Sequence, residues 1–274
     1  MKKSRFKCSN LYLILVFCFL YIPIFYLMFY AFNAGSTMNK FTGFSLAHFG
    51  ELFADTRLII ILLNTFILAF LSALIATLIG TFGALFIYYV KQNRSKTLLL
   101  SLNNILMVSP DVIIGASFLI LFTTLGTAVG SLNLGFITVL LSHIAFSIPI
   151  VVLMVLPKMQ EMNDSMVDAA RDLGASNFQV LKDIVLPVLS PGIIAGYFMA
   201  FTYSLDDFAV TFFVTGNGFT TLAVEIYSRA RRGVSLEINA LSTLVFLMAL
   251  ILVIGYYYIS QDTGKNNSKG GGVK

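Results

Sequence analysis

Residues 133–157 read NLGFITVLLSHIAFSIPIVVLMVLP and contain no Asp, Glu, Lys or Arg. As an α-helix, this 25-residue stretch would extend about 37 Å. That length exceeds the roughly 30 Å hydrocarbon core of a bilayer. Its apolar residues run continuously instead of alternating, which favours a helix over a strand of a membrane barrel. The stretch therefore predicts a membrane-spanning helix.

The chain has five more apolar runs, three before this one and two after it. The chain of 274 residues is 58% hydrophobic and 11% charged, whereas soluble domains are about 45–50% apolar and about 25% charged. This composition excludes an ordinary soluble enzyme and a disordered chain, and two cysteines are too few for a disulfide scaffold. The sequence predicts an all-α polytopic membrane protein with six transmembrane helices, at 11–32, 58–90, 98–125, 133–157, 190–215 and 238–260.

The distribution of basic residues predicts the orientation in the membrane. The first run follows a basic tail like that of a secretory signal, but its 22 residues exceed the core of about 7–15 in a cleaved signal, so we expect it to be retained. Most of the 18 Lys and Arg residues lie in loops and tails on one side, which places both termini in the cytoplasm. The predicted parts are a basic tail 1–10, a transmembrane domain 11–260 with a cytoplasmic loop 158–189, and a flexible tail 261–274.

The loop 158–189 reads KMQEMNDSMVDAARDLGASNFQVLKDIVLPVL. A first short helix is predicted to start at Ser165, with Asp168 three residues on, and to stop at Gly174. A second is predicted to start at Ser176 with Gln179 completing a capping box. The alternative is a helix pair lying on lipid, but such helices usually have a basic polar face and this one is acidic. The expected apolar faces are Met166, Ala169, Ala170 and Leu173, then Phe178, Leu181, Ile184 and Val185.

The spacing of seven residues in this loop resembles the signature loop of bacterial ATP-binding-cassette (ABC) importer permeases, where Glu usually stands at the first position. The resemblance implies the type I ABC importer permease fold. It also implies that the loop docks into a cleft on a separate ATPase subunit and passes its movement to the membrane helices. The implied coupling residues are Asp168, Ala169, Ala170, Gly174, Ile184, Leu186 and Pro187.

Motifs for catalysis are absent from the sequence. No G-x-x-x-x-G-K-[ST] phosphate loop occurs, so we expect ATP and Mg²⁺ to bind a partner ATPase and this chain to hold no cofactor. No H-E-x-x-H, no G-x-S-x-G and no Cys/His cluster of metal spacing occurs, so no catalytic or metal residue is predicted. His143, inside the fourth run, is interpreted as a hydrogen-bonded helix contact.

Three acids lie inside apolar runs that contain no Lys or Arg. Such groups are costly in a membrane and usually face a partner or an aqueous route, so Asp111, Asp206 and Asp207 predict a path for cations. Tyr203 lies four residues before Asp207, on the same face of a continuous helix, and aromatic rings attract ammonium groups. Alternatively, Asp111 caps a helix restarted after Pro110, and adjacent acids about 100° apart on a helix would not both face one pore.

Similarity to a narrower family extends over nearly the whole chain. It rests on Ser109-Pro110-Asp111, Ser142-His143-Ile144, Ser204-Leu205-Asp206-Asp207, Val214-Thr215-Gly216 and Glu237-Ile238-Asn239-Ala240-Leu241, which are similar to the smaller permease subunit of spermidine/putrescine importers. The resemblance implies a bacterial plasma-membrane permease that imports polyamines. It implies a homologous second permease chain, an ATPase dimer and an extracellular solute-binding protein as partners, with no nucleic acid.

Two other readings of the sequence remain open. A permease of the same class could import another small solute, such as an amino acid or a metal. A cation-coupled secondary transporter could also use buried acids, but it would not need the loop pattern. The basic cluster Arg229, Arg231 and Arg232 would repel a polycation, so we expect it to meet an acidic binding protein.

Overall fold

The computed structural model describes residues 8–130, 133–232, 236–247 and 250–251. These residues fall into two compact units, one formed from residues before 60 and after 225, and the other Ile60–Glu225. A π-helical turn, Leu181–Val185, joins two of the helices. The helices are α1 Cys8–Ala31, α2 Ala47–Ala54, α3 Thr56–Tyr89, α4 Asn93–Val108, α5 Asp111–Val129, α6 Phe136–Glu161, α7 Asp164–Asp172, α8 Asn177–Val180, α9 Leu186–Asp206, α10 Ala209–Val214, α11 Leu222–Arg232 and α12 Leu236–Leu247.

The helices bear out the predicted all-α membrane fold. Within the described residues, five segments are long and apolar enough to cross a bilayer, and α12 is a shorter apolar helix in the sixth predicted run. The remainder of that run after residue 251, the first seven residues and the predicted tail 261–274 lie outside the described part of the chain. The five segments are Leu11–Ala31, Thr56–Tyr89, Asp111–Ala128, Phe136–Glu161 and Asn177–Asp206.

The third predicted span, 98–125, is not one helix. Helix α4 ends at Val108, Ser109 is extended, and α5 begins at Asp111. Pro110 causes the break, because proline lacks an N–H group and disfavours the helical conformation of the residue before it. A helix therefore restarts after Pro110, as the alternative interpretation expected. Asp111 is its first residue, however, and the cap position is Pro110, so Asp111 is not the cap.

The fifth predicted span, 190–215, is also divided. Helix α9 ends at Asp206, Asp207 is extended, and α10 begins at Ala209. At its other end the span begins earlier than predicted, since α8, the π-helical turn and α9 form one helical segment, Asn177–Asp206. In the π turn the Leu186 N–H group bonds Leu181 O, five residues back. Pro187 follows directly. Because it has no N–H group to donate to a carbonyl of this turn, it favours the wider π-helical geometry over a regular α-helical turn.

Helix α6 is the centre of the unit Ile60–Glu225. It packs along α9 and contacts α4 and α10, while α10 packs against α5. Val151, Val155 and Met159 of α6 are fully buried in this core. Glycine permits a close approach of the α9 backbone to the α6 backbone, because a Cβ atom on Gly192 of α9 would lie 2.9 Å from Met154 O of α6. Small residues commonly allow such backbone contact between membrane helices.

Replacing Gly192 with Ala is expected to destabilise the protein by about 1–3 kcal/mol, because the new methyl group meets a backbone oxygen that cannot move aside. Gly83→Ala is the matched control. It also adds a methyl group within a long helix, but there the nearest atom, Val152 Cγ2, is 3.7 Å away, an ordinary contact. Thermal unfolding in detergent should show a lower melting temperature for Gly192→Ala alone. Equal melting temperatures would contradict the close packing of α6 on α9.

In the other unit, Arg229 forms ion pairs with two carboxylates. Its guanidinium nitrogens lie 3.1 Å from Asp55 Oδ2 and 3.1 Å from Glu237 Oε2. Burial raises the pKa of Asp55, but hydrogen bonding by the Leu58 N–H group and by Arg229 outweighs burial, so the pKa lies below its usual value. Arg229 was expected, with Arg231 and Arg232, to meet a partner protein, yet its charge is matched within its own unit.

Candidate substrate site and coupling surface

Two acids and a tyrosine come together where α5 begins and α9 ends. The Tyr203 hydroxyl group donates a hydrogen bond to Asp111 Oδ1 at 3.0 Å. Asp206 is the last residue of α9, and its charge interacts with those of Asp111 and Asp207. Asp111 and Asp206 are both exposed in the isolated chain. An acidic site therefore forms from residues that lie far apart in the sequence.

The tyrosine faces a different acid from the one predicted. The sequence placed Tyr203 on the same helical face as Asp207, but the helix ends at Asp206, so Asp207 is not on that face. The ring of Tyr203 packs edge-on against Phe146, with centroids 5.0 Å apart. Beyond the break, the rings of Phe208 and Phe212 lie 5.4 Å apart. Aromatic surface thus adjoins the acids on both sides of the break.

Asp207 has a different environment from Asp206. Its side chain is 8% exposed. Its Oδ2 atom accepts hydrogen bonds from the Thr211 N–H and hydroxyl groups, each at 2.8 Å, and its Oδ1 atom accepts from the Val210 N–H group at 3.3 Å. These bonds satisfy two of the free N–H donors in the first turn of α10. Of the two adjacent acids, Asp206 stands beside Asp111 and Asp207 caps a helix.

A buried polar network surrounds this cap. His143 of α6 is fully buried, with Nδ1 2.6 Å from Ser204 Oγ and Nε2 2.8 Å from Thr211 Oγ1. The Ser72 hydroxyl group of α3 donates to Ser204 Oγ at 2.8 Å. The prediction that His143 makes hydrogen-bonded helix contacts is confirmed. Its partners could not be read from the sequence, because they lie on two other elements, 61 and 68 residues away.

Metal ligation is not suggested by the geometry. Across residues 8–130, 133–232, 236–247 and 250–251, no three His, Cys, Asp or Glu side chains are grouped to hold an ion. The acids at the break can instead offer carboxylate oxygens and aromatic faces to an organic cation.

The first helix of loop 158–189 has a different cap from the one predicted. Helix α7 starts at Asp164, and the cap is Asn163, whose Oδ1 atom accepts from the Ser165 N–H group at 3.0 Å. The Ser165 hydroxyl group donates to the same oxygen at 2.8 Å and so does not cap the helix itself. Asn is as strong a cap as Ser, and the two candidates stand two residues apart. The sequence pattern could not rank them.

The end of α7 and the start of α8 agree with the sequence. Gly174 has φ +84°, and the Ala175 N–H group reaches back to Ala170 O at 3.0 Å, which closes a glycine C-cap. Ser176 and Gln179 form the predicted capping box, with the Ser176 N–H group 2.8 Å from Gln179 Oε1. The turn between the two helices is therefore fixed by local hydrogen bonds.

The apolar residues of the loop are divided between two surfaces. Val167 and Val180 are buried in the core with Met159, and Ala170 packs against them. Leu173 and Phe178 are 89% and 71% exposed, so the predicted apolar faces are only partly packed inward. The other residues of those predicted faces divide in the same way, with Met166 and Ala169 exposed, Leu181 and Ile184 half-buried, and Val185 buried.

We name the outward side the coupling surface, after the role that the resemblance implies for this loop, and define it by Asp168, Ala169, Leu173, Gly174 and Phe178. The Asp168 side chain is 73% exposed, and Arg171 lies 3.9 Å from it. Large apolar side chains exposed around an acid are typical of an interaction surface. Of the other implied coupling residues, Pro187 is exposed, and Ala170, Ile184 and Leu186 are half-buried beneath the surface.

A tyrosine that sequence reasoning did not single out joins the loop to the membrane helices. The Tyr88 hydroxyl group, at the end of α3, donates to Asp164 Oδ1 at 3.0 Å. The ammonium group of Lys96 lies 5.7 Å from the centre of the Tyr88 ring. The hydrogen bond holds the start of α7 against α3, and the Lys96 contact links α3 to α4.

The fold and the loop are those of a transport permease. Residues 76–262 match the family described as binding-protein-dependent transport system inner membrane component, and the chain belongs to this family. The matched range includes the acidic site and the whole of loop 158–189.

Relatives with assigned substrates cover nearly the full chain. The spermidine/putrescine transport system permease protein PotC of Shigella flexneri is 37% identical over 94% of this chain and 95% of its own length. PotC of Escherichia coli K12 is 36% identical, over 92% and 94%. The putrescine transport system permease protein PotI of the same organism is 34% identical, over 91% and 89%.

Solved structures share the architecture. A bacterial ABC transporter that imports the acidic polysaccharide alginate superposes with a TM-score of 0.72 at 19% identity, over 93% of this chain and 94% of that one. The inward-facing methionine transporter MetNI gives 0.58 at 18% identity, over 74% and 95%. The type I ABC importer permease fold is confirmed.

Proposed function

We propose that this chain is the membrane-spanning permease subunit of an ATP-driven importer of polyamines such as spermidine and putrescine. The observation that carries the proposal is the acidic site, in which Tyr203 bonds Asp111 and the charges of Asp111 and Asp206 interact, within apolar runs free of Lys and Arg. Polyamines are polycations at neutral pH, and carboxylates with aromatic faces suit ammonium groups. The identity to spermidine/putrescine permeases over most of the chain supports the same substrate class.

The proposal includes three kinds of partner. A homologous second permease would supply the other half of the path, two ATPase copies would bind ATP and Mg²⁺, and an extracellular binding protein would deliver the solute. Of the 18 Lys and Arg residues, 13 lie in the two tails and in loops 91–97 and 158–189, which supports cytoplasmic termini. In that orientation the coupling surface faces the ATPase.

The helical segment Asn177–Asp206 gives the proposed mechanism a direct mechanical link. It begins beside the coupling surface and ends at the acidic site. Closure of the ATPase dimer on ATP would move the loop, and the segment would carry that displacement to Asp206. The two permease halves then open outward, the binding protein releases the polyamine beside the acids, and hydrolysis resets the assembly.

Uptake of labelled putrescine and spermidine in cells that lack their own polyamine importers tests the proposal. We expect accumulation only when this chain, the second permease, the ATPase and the binding protein are produced together. Accumulation that persists without the ATPase would point to a secondary transporter instead. Preference of the complete system for an amino acid or a metal ion would refute the polyamine assignment.

A further inference from the structure

The break between α9 and α10 has no proline or glycine to explain it. The chain reads Leu205-Asp206-Asp207-Phe208-Ala209 there. A broken helix in a membrane leaves backbone donors and acceptors without partners, so it persists only where other groups replace the lost bonds. Breaks of this kind are often found at transport sites. Asp207, within the break, accepts hydrogen bonds from the first turn of α10, but the groups that hold the end of α9 come from elsewhere in the fold.

His143 holds both sides of the break. Its Nδ1 atom contacts Ser204 in the last turn of α9, and its Nε2 atom contacts Thr211 in the first turn of α10. The ring also packs on Phe146, with centroids 4.8 Å apart, and Phe146 packs on Tyr203. One side chain of α6 thus contacts two helix ends and, through one ring, the tyrosine of the acidic site.

One assignment of the protons, with the His143 proton on Nε2, satisfies every member of this network. The Thr211 hydroxyl group donates to Asp207 Oδ2, so its oxygen accepts from His143 Nε2–H. His143 Nδ1 then accepts from the Ser204 hydroxyl group, whose oxygen accepts from Ser72. With this tautomer the hydroxyl protons of Ser72, Ser204 and Thr211 each have an acceptor. Buried networks that are fully satisfied in this way specify one arrangement of their helices.

We infer that His143 is a positioning residue of the translocation path. By holding Ser204 and Thr211, it fixes the ends of α9 and α10 and so sets where Asp206 stands relative to Asp111. This inference rests on the proposed function for its transport readout. His143 itself is fully buried, so it acts on transport through the positions of Asp206 and Asp111.

A double-mutant cycle of His143→Leu with Asp206→Asn tests the inference. Polyamine uptake is measured per amount of chain in the membrane. We expect His143→Leu to lower the maximal rate about tenfold, and to add little further loss when Asp206 is already Asn, because coupled residues are non-additive. Losses that multiply independently would show that His143 does not act through Asp206.

Conservative variants separate positioning from folding. His143→Asn places an amide near the Nδ1 position, facing Ser204, and His143→Gln places one near Nε2, facing Thr211. Each retains one side of the contact, so we expect both to recover part of the rate lost in His143→Leu. Ser142→Ala is the matched control, since that buried hydroxyl group bonds Thr138 O within α6, and its rate should stay within about twofold of the wild type. No recovery by either variant would refute the inference.

A readout that needs no transported solute distinguishes this inference from the proposed function. In a cysteine-free chain, Asp206→Cys is labelled with a membrane-impermeant thiol reagent. We expect the labelling rate to change when His143→Leu is added and to stay the same with Ser142→Ala. A changed rate in a protein that takes up no polyamine would retain His143 as a positioning residue and refute the substrate. An unchanged rate would refute the role of His143.

Discussion

Solute uptake is expected to fall about 100-fold when Asp168 is replaced by Lys, while the amount of protein in the membrane stays the same. Asp168 is 73% exposed and has only a distant ion pair with Arg171, at 3.9 Å, so the change removes little that supports the fold. It reverses the charge at the centre of the coupling surface, where an ATPase cleft built for an acid would meet it. Uptake assays with quantified membrane protein measure both parts of the expectation.

Two matched variants sharpen this test. Asp172→Lys makes the same charge reversal at an exposed position of the same helix but outside the signature spacing, and we expect a much smaller loss. Asp168→Glu installs the residue that the importer family usually carries and should keep uptake near the wild-type rate. Recovery of the ATPase with the tagged permease should fall for Asp168→Lys alone. Wild-type uptake in Asp168→Lys would exclude this residue from coupling.

The loop shows how far local sequence signals reach. The glycine stop at Gly174 and the capping box at Ser176 were predictable, because each depends on hydrogen bonds within a few residues. The exposure of Leu173 and Phe178 was not, because periodicity identifies an apolar face without saying whether this chain or a partner covers it. Local order could be read from the sequence, and the choice of packing partner could not.

The two divided spans show the same limit in the membrane. The break before Asp111 follows from Pro110, and the sequence offered it as an alternative. The break after Asp206 carries no such residue. Asp207 caps α10 locally, but the hydrogen bonds from α6 and α3 to the ends of the two helices are ones that no local pattern reveals. The sequence therefore singled out the three acids, which the structure places at the two breaks, but it could not separate their environments or pair Tyr203 with Asp111.

Asp206→Asn and Asp207→Asn are expected to fail in different ways, although the residues are neighbours. In Asp206→Asn the exposed carboxylate beside Asp111 is lost, and an interaction with a charged ligand group is worth about 1.5–3 kcal/mol. Polyamine uptake should therefore fall about 10- to 100-fold, since about 1.4 kcal/mol corresponds to a factor of ten. The protein should reach the membrane in normal amounts and unfold at the normal temperature.

In Asp207→Asn one carboxylate oxygen becomes an NH₂ group, which cannot accept the hydrogen bonds now made by Val210 or by Thr211. Either amide orientation leaves a buried donor without its partner, at a cost of about 1–3 kcal/mol. We therefore expect a lower melting temperature and less folded protein, with uptake falling in proportion to the folded amount. The contrast is decided by plotting uptake per folded molecule against melting temperature for both variants and for Asp111→Asn. If Asp206→Asn and Asp111→Asn transported polyamine at the wild-type rate per folded molecule, alone and combined, the acids at the break would have no part in the path.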